Sequence, residues 1–133
     1  MATVTRKTAN FSDLDFNFTK LSTTGDVARK SDVEAVKQSM KALIRTAYFE
    51  RPFQPYLGTD IGSLLFELNT PLTRRRIEKT IREVIENHEP RARLTEVTVD
   101  DNSDSNEYQV RIHFYVVNST GSEVFETYLQ RTR

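Results

Sequence analysis

Residues 83–99, EVIENHEPRARLTEVTV, contain a change of pattern that sets the order of helix and strand. Before Pro90, apolar residues recur at spacings of three and four, as on one face of a helix. After Pro90, apolar and polar residues alternate, as in a half-buried strand. Proline disfavours the α conformation in the residue before it, so the helix should end by Glu89. The acids and arginines around this proline leave four uses open: catalysis, nucleic-acid binding, a structural clasp and a docking point.

Upstream of this junction, the sequence predicts a long helix that begins at Thr70 and Pro71. A threonine cap followed by proline suits a helix start, because the first helical residue needs no N–H partner within the helix. The stripe of this helix that should face the core consists of Leu72, Ile77, Ile81, Val84, Ile85 and His88.

Another main helix is predicted from Ser31 to about Ala47. Ser31 and Glu34 form a capping-box pattern, in which each side chain accepts a backbone N–H at the helix start. The core stripe of this helix consists of Val33, Val36, Met40, Leu43, Ile44 and Ala47. After this helix, two prolines and two glycines between residues 52 and 62 forbid a continuous helix. A short helix is predicted from Asp60 to Glu67, with Asp60 as its cap and an apolar side formed by Ile61, Leu64, Leu65 and Phe66.

Downstream of the junction, the segments LTEVTVDD (94–101), EYQVRIHFYVV (107–117) and EVFETYLQR (123–131) show the two-residue period of strands. The segments between them, NSDSN and NSTGS, have turn composition. The predicted fold class is therefore α+β, with two main helices and a short helix packed on a three-stranded antiparallel meander. The middle strand should bury Tyr108, Val110, Ile112, Phe114 and Val116 and leave His113 on the opposite face.

Residues 1–30 are mostly polar, with single aromatic and aliphatic residues among them, and they show no sustained helical or strand period. They are predicted to form an extended N-terminal arm, separate from an α+β domain at residues 31–133. Two placements stay open for this arm. It lies on another protein, or it packs on its own domain with Phe16 and Phe18 filling a groove.

Composition excludes several classes of function. The 133 residues carry 19 acidic and 19 basic side chains, so the net charge expected of a nucleic-acid-binding protein is missing. No cysteine and only two histidines occur, which predicts no metal site and no disulfide. No stretch approaches the ~20 apolar residues of a membrane span, and no hydrophobic signal core opens the chain. The expectation is a soluble, unexported protein without a cofactor.

Catalysis by paired carboxylates is the first enzymatic hypothesis, with Glu50, Asp60, Glu67 and Glu89 as the available acids. A general acid needs a raised pKa, which an apolar or like-charged setting provides. Arg51 follows Glu50 and Arg91 lies two residues after Glu89, and arginines keep carboxylates ionised. This arrangement favours salt bridges over proton donation, and no catalytic residue is predicted.

Two charged features suggest contacts with protein surfaces instead of catalysis. Glu89-Pro90-Arg91 should be extended, so that the acid and the guanidinium project to the same side. Such a stiff pair suits a clasp within its own domain or docking on a partner. Residues 74–76 are three arginines in the first turns of a helix, where cations are mildly unfavourable. Nearby glutamates compensate for them, or an acidic partner surface does.

The order of several short elements resembles the baseplate wedge and sheath-initiator family of contractile phage tails, which has relatives in R-type bacteriocins and type VI secretion baseplates. Any one element is weak, but the succession is specific and covers nearly the whole chain. The elements are Gly25-Asp26, Glu50-Arg51-Pro52-Phe53 with Pro55 and Gly58, Leu65-Phe66-Glu67, Pro71-Leu72-Thr73 and Glu89-Pro90-Arg91.

The resemblance implies a non-enzymatic virion component of the tail baseplate, assembled in the host cytoplasm. It implies docking on the major wedge core proteins through Glu89, Pro90 and Arg91, and it leaves contacts with tail tube or hub proteins open. It implies multiple copies per baseplate and a monomer in isolation. First-ring sheath subunits would add a strand to the C-terminal hairpin at Val124, Phe125, Glu126, Thr127, Tyr128 and Leu129. A structural loop would contain Arg51, Pro52, Phe53, Pro55, Gly58 and Phe66.

The family has also carried a lysozyme-like label, so the alternative is a tail lysozyme that cleaves peptidoglycan with paired carboxylates. A tail lysozyme needs a cleft that holds several sugars. A domain of this size, with a three-stranded sheet, has little material to form one. The assembly function is therefore the main prediction.

Overall fold

The computed structural model describes residues 10–131, which form three helices and two antiparallel sheets. A small sheet pairs β1 with β2, and the larger sheet has the order β3-β4-β5. The predicted α+β class and the three-stranded meander are confirmed. The elements are β1 (Ser12–Leu14), β2 (Arg29–Ser31), α1 (Asp32–Arg45), α2 (Ile61–Leu64), α3 (Pro71–His88), β3 (Ala92–Asn102), β4 (Glu107–Val116) and β5 (Glu123–Gln130).

The ends of α3 follow the sequence prediction. The Thr70 side chain accepts a hydrogen bond from the Thr73 N–H at 3.1 Å, and Pro71 is the first helical residue. The helix ends at His88, and Glu89 leaves the α region with φ −123° and ψ 80°. Proline therefore ends the helix where its steric effect on the preceding residue requires.

The predicted capping box at the start of α1 is wrong in its bonding, although Ser31 does precede the helix. The Ser31 side chain makes no capping bond, and Asp32 has φ +48°. Ser31 also belongs to β2, so the chain turns sharply from strand into helix. The carboxylate of Asp32 accepts the N–H groups of Asn10 and Phe11 and so ties the helix start to the first described residues.

The core lies between the helices and one face of the larger sheet. The predicted inward face of β4 is fully buried, and His113, on the other face, is half-buried. The stripe of α3 begins at buried Thr73 and continues through Ile77 and Ile81. Leu72 is 64% exposed because it lies one residue, or about 100°, away from this stripe.

Three other predicted core positions are wrong. Ala47 lies beyond the end of α1 and is exposed, and His88 is exposed at the last residue of α3. The short helix covers four residues only, and Asp60 makes no side-chain cap. Its Ile61 and Leu64 are buried as predicted, but Phe66 lies after the helix and is 66% exposed.

Residues 10–31 fold back on α1, with β1 and β2 as the two arms of a hairpin. The Gln38 side chain of α1 holds this hairpin, because it donates to the Leu14 carbonyl at 2.7 Å and accepts from the Phe16 N–H at 3.0 Å. Phe16 and Phe18 are 58% and 70% exposed, so they do not fill a groove as one alternative predicted. Phe11 packs on the core instead. The earlier part of the predicted arm, residues 1–9, lies outside the described residues, and the division at residue 30 stays a prediction.

Candidate functional site: the charged corner, the loop and the free sheet edge

Glu89 and Arg91 form a bidentate ion pair at the corner between α3 and β3. The Arg91 Nε donates to Glu89 Oε1 at 2.7 Å, and its Nη2 donates to Oε2 at 2.9 Å. The Glu89 side chain is 3% exposed and the Arg91 side chain 22% exposed. The two side chains project to the same side, as the extended backbone before proline predicts. Pro90 itself is exposed at the tip of the corner.

Asp13 completes this corner from the N-terminal hairpin. Its carboxylate accepts from Arg91 Nη1 and Nη2 at 3.2 Å, 78 residues away in the sequence. The guanidinium also lies over the Phe11 ring, 5.7 Å from the ring centre. Arg91 therefore fastens the hairpin to the helix-to-sheet corner. The sequence predicted a clasp as one use of Glu89-Pro90-Arg91. It did not identify Asp13 as a partner of Arg91, because no local pattern connects residues 78 positions apart.

Electrostatics keep this corner ionised. Burial acts to raise the pKa of Glu89, but hydrogen bonds from Arg91 and Ser39 outweigh it and hold the pKa below its ordinary value. The pKa of Arg91 is raised, first by its bond to Glu89 and also by Asp13, against the effect of burial. A carboxyl group held ionised in this way is a poor proton donor at neutral pH.

The lowered pKa of Glu89 predicts a stability that depends on pH. The unfolded chain binds a proton at Glu89 near the ordinary value of 4.5, and the folded chain binds it at lower pH. The stabilisation is therefore fully present above about pH 5 and is lost as the pH falls through the folded pKa. Urea unfolding of the wild type and of Glu89→Gln should show a free-energy difference that shrinks below about pH 4. A difference that stays constant with pH would contradict the ion pair.

The loop between α1 and α2 is closed by backbone contacts around Gly58. The Thr59 N–H donates to the Thr46 carbonyl at 2.8 Å, and the Thr59 hydroxyl donates to the Ile44 carbonyl at 3.1 Å. Gly58 is buried, and Glu50 accepts the Ala47 N–H. Of the other predicted loop residues, Pro55 is half-buried, whereas Arg51, Pro52, Phe53 and Phe66 are exposed.

Gly58→Ala should destabilise the fold strongly. Gly58 has φ +140°, and a Cβ there would lie 2.7 Å from backbone atoms of Thr46 and Ala47. Strain and overpacking together should cost about 3 kcal/mol, or roughly 10 °C in Tm. Gly62→Ala is the matched control, because a Cβ at Gly62 meets no atom within 4 Å. Thermal unfolding of both variants checks this, and similar losses from both would contradict the close approach at Gly58.

The outer edge of β5 is unpaired among the described residues. The Arg131 N–H donates to the Asn106 carbonyl, which fixes the phase of the β4–β5 ladder. Because backbone groups in an antiparallel ladder alternate in direction, the odd-numbered residues of β5 bond to β4. The even-numbered residues therefore direct their N–H and C=O groups outward. These residues are Val124, Glu126, Tyr128 and Gln130.

The four carboxylates considered for catalysis do not converge on one site. Glu50 caps the turn after α1, and Glu89 is held in the corner. Asp60 and Glu67 line one shallow groove of about 350 Å³, but Glu67 is paired with Arg76 at 3.3 Å. That pair also shows that a glutamate compensates one of the three arginines at 74–76.

No three or more histidine, cysteine or acidic side chains gather as a metal site within residues 10–131. No helix in the same range is both long and apolar enough to cross a bilayer.

A family model and a phage protein match most of this chain. The family described as baseplate wedge protein gp25 matches residues 30–120. Baseplate wedge protein gp25 of Enterobacteria phage T4 is 34% identical over 109 residues, which cover 82% of this chain and 82% of the relative. The match therefore extends over most of both proteins.

Solved structures share the fold. A chain of the anti-feeding prophage baseplate has a TM-score of 0.71 and 30% identity, covering 82% of this chain and 87% of that chain. A putative tail lysozyme from Geobacter sulfurreducens has a TM-score of 0.64 and 25% identity, covering 75% of this chain and 93% of that chain. A chain of the postcontracted pyocin R2 baseplate has the same fold, with a TM-score of 0.57 and 14% identity, over 92% of this chain and 100% of that chain. The family match and the T4 relative confirm the resemblance, and this chain belongs to the gp25 family of baseplate wedge proteins.

Proposed function

We propose that this baseplate wedge protein of a contractile tail joins the wedge core to the first ring of the sheath. It docks through the corner at Glu89, Pro90 and Arg91, and it starts sheath assembly by accepting a strand at the outer edge of β5. It acts without catalysis. Its position is in the tail baseplate of the virion, in several copies, after assembly in the host cytoplasm.

The outer edge of β5, which no strand within residues 10–131 pairs with, carries this proposal. An unpaired edge offers backbone donors and acceptors that another chain can use, and proteins normally cover or disrupt such edges. The outward groups of Val124, Glu126 and Tyr128 provide three consecutive bonding positions, enough for a short added strand. The side chains of Val124 and Tyr128 are 41% and 50% exposed, so they add apolar contact on the solvent face.

The shape of the charged corner supports docking there. Glu89 is held inside, while Pro90 is exposed and the Arg91 side chain is 22% exposed. A surface fixed by an ion pair and a proline loses little entropy when a partner binds. The exposed tip would insert between helices of the major wedge proteins, with Glu89 positioning the arginine from behind. Contacts with tail tube or hub proteins would lie elsewhere on the surface.

A cryo-EM map of the complete baseplate with its first sheath ring tests both contacts. We expect a strand of a sheath subunit beside β5 and Pro90 in contact with the wedge core. A β5 edge that faces solvent would contradict sheath initiation, and a solvent-facing corner would contradict docking. The two parts of the proposal can therefore fail separately.

The alternative is peptidoglycan cleavage, which the putative tail lysozyme among the structural relatives brings forward. The four candidate carboxylates do not share one site, since only Asp60 and Glu67 line the same groove. Glu67 is paired with Arg76 there, and Glu89 is kept ionised by Arg91. We expect no clearing in a peptidoglycan zymogram of the purified wild type, and the same result for Glu50→Gln, Glu67→Gln and Glu89→Gln. Clearing by the wild type that is lost in a single one of these variants would favour the enzyme.

A further inference from the structure

A groove of about 490 Å³ runs between α1, the N-terminal hairpin and β5. We call it the α1 groove. Phe125 of β5 lines it, so it adjoins the edge proposed for strand addition. Eight of its eleven lining residues are polar or charged, and the charged ones are Asp15, Lys30, Glu34, Lys37, Lys41 and Arg45.

The α1 groove is basic, although the whole chain is neutral. Four cations face two carboxylates in its lining. One carboxylate, that of Asp15, belongs to a residue that is 3% exposed and accepts the Asn17 N–H. Lys37 is already paired with Glu34 at 3.7 Å and with Glu123 at 3.9 Å. Within residues 10–131, no carboxylate lies within 4.0 Å of Lys41 or Arg45, so these two cations are the uncompensated part of the wall.

Three of these cations form a row. Lys37, Lys41 and Arg45 are spaced by four residues on α1, which places them about 6 Å apart along the helix. Alternate residues of an extended strand are separated by about 6.6 Å and point to the same side. A strand with carboxylates at every second position therefore matches the spacing of this row.

We infer that the α1 groove receives an extended acidic segment of a partner protein, continuous with the strand added to β5. Carboxylates on alternate residues of that segment pair with Lys41 and Arg45, Lys37 keeps its contacts with Glu34 and Glu123, and the backbone of the segment lies beside Phe125. This inference rests on the proposed function and specifies the chemistry of the added strand. Residues 1–9 and 132–133, which lie outside the described residues, do not fit the charge, because they carry Arg6, Lys7 and Arg133 and no acidic side chain.

Peptide binding to the full-length protein tests the inference. The probes are three fluorescein-labelled peptides, Thr-Xaa-Val-Xaa-Thr-Xaa-Val, in which every Xaa is Glu, Gln or Lys. By fluorescence anisotropy, we expect the Glu peptide to bind about tenfold more tightly than the Gln peptide at about 50 mM NaCl, with most of this preference lost at about 500 mM. Equal affinities, or no binding of any peptide, would overturn the inference.

Charge reversal identifies the groove as the source of the preference. Lys41→Glu/Arg45→Glu should make the Lys peptide the tightest binder. Arg75→Glu/Lys79→Glu makes the same change in net charge on the exposed face of α3 and should keep the wild-type order. A similar loss in both double variants would show a nonspecific charge effect and overturn the inference. Sedimentation that shows a wild-type dimer, lost in Lys41→Glu/Arg45→Glu, would identify a second copy as the occupant and also overturn it.

The strand-addition proposal can fail independently. If baseplates assembled with the Glu126→Pro variant still carry sheath while the Glu peptide keeps its preference, acidic recognition by the α1 groove stands, but its continuity with a strand added to β5 is wrong. If Glu126→Pro removes the sheath and the peptides bind equally, strand addition stands and the acidic specificity is wrong.

Discussion

Baseplates that contain Glu126→Pro should assemble with a tail tube but without a sheath. Glu126 lies at the centre of β5, and its N–H faces outward, away from β4. Proline removes that donor and places its ring where an added strand would lie. Proline is tolerated on edge strands when the lost N–H faces solvent, so the fold itself should survive. Electron microscopy of particles from a host that produces only this variant measures the effect.

Two matched variants separate strand addition from other effects of the substitution. Glu126→Ala removes the 3.2 Å ion pair with Arg111 but keeps the outward N–H, so it should assemble sheath normally. Thr127→Pro removes an N–H that faces β4, at a residue that is 6% exposed, so it should unfold or strongly destabilise the chain. Sheathed particles from Glu126→Pro would contradict the role of β5, as would sheathless particles from Glu126→Ala.

The sequence predicts local structure well where one physical cause acts alone. Proline at residue 90 ends α3, Thr70 caps it, and strict alternation along β4 identifies its buried face. These signals depend on neighbours within a few residues, and nothing distant opposes them. The order of the elements, and hence the fold class, follows from such signals.

Errors in the prediction arise where two causes compete. Serine is a residue type that commonly caps helices, but Ser31 also belongs to β2. Asp32, which turns the chain with φ +48°, fixes the helix start instead. Leu72 is apolar, but Thr73 sets the phase of α3 by bonding to the Leu68 carbonyl and to Thr70. Composition alone does not show which neighbour wins, because the outcome depends on packing against other elements.

In the candidate site, too, features set by neighbouring residues could be predicted, and features set by distant contacts could not. The pairing of Glu89 with Arg91 could be predicted, since proline places the two side chains on one side. The contact of Arg91 with Asp13 joins residues 78 apart and depends on how the hairpin folds back on α1. The outward phase of β5 likewise requires the observed register, because a shift by one residue would exchange its bonded and free positions.

Arg91→Gln should destabilise the isolated protein and prevent its incorporation into baseplates. Removing the guanidinium leaves Glu89 buried without its charge partner, which should cost about 3 kcal/mol. Loss of assembly by this variant alone would therefore not separate docking from folding.

The double variant Glu89→Gln/Arg91→Gln separates the two roles. Replacing both charges by amides removes the unpaired buried carboxylate, so the free energy of unfolding should recover to within about 1 kcal/mol of the wild type. If Pro90 and Arg91 contact the wedge core, this stable variant should still be missing from purified baseplates. Asp13→Asn is the control, because it removes only the outer partner of Arg91, at a side chain that is 35% exposed, and should assemble. Recovery of both stability and incorporation in the double variant would show that the corner is only an internal clasp, because docking through a charged arginine cannot survive the loss of that charge.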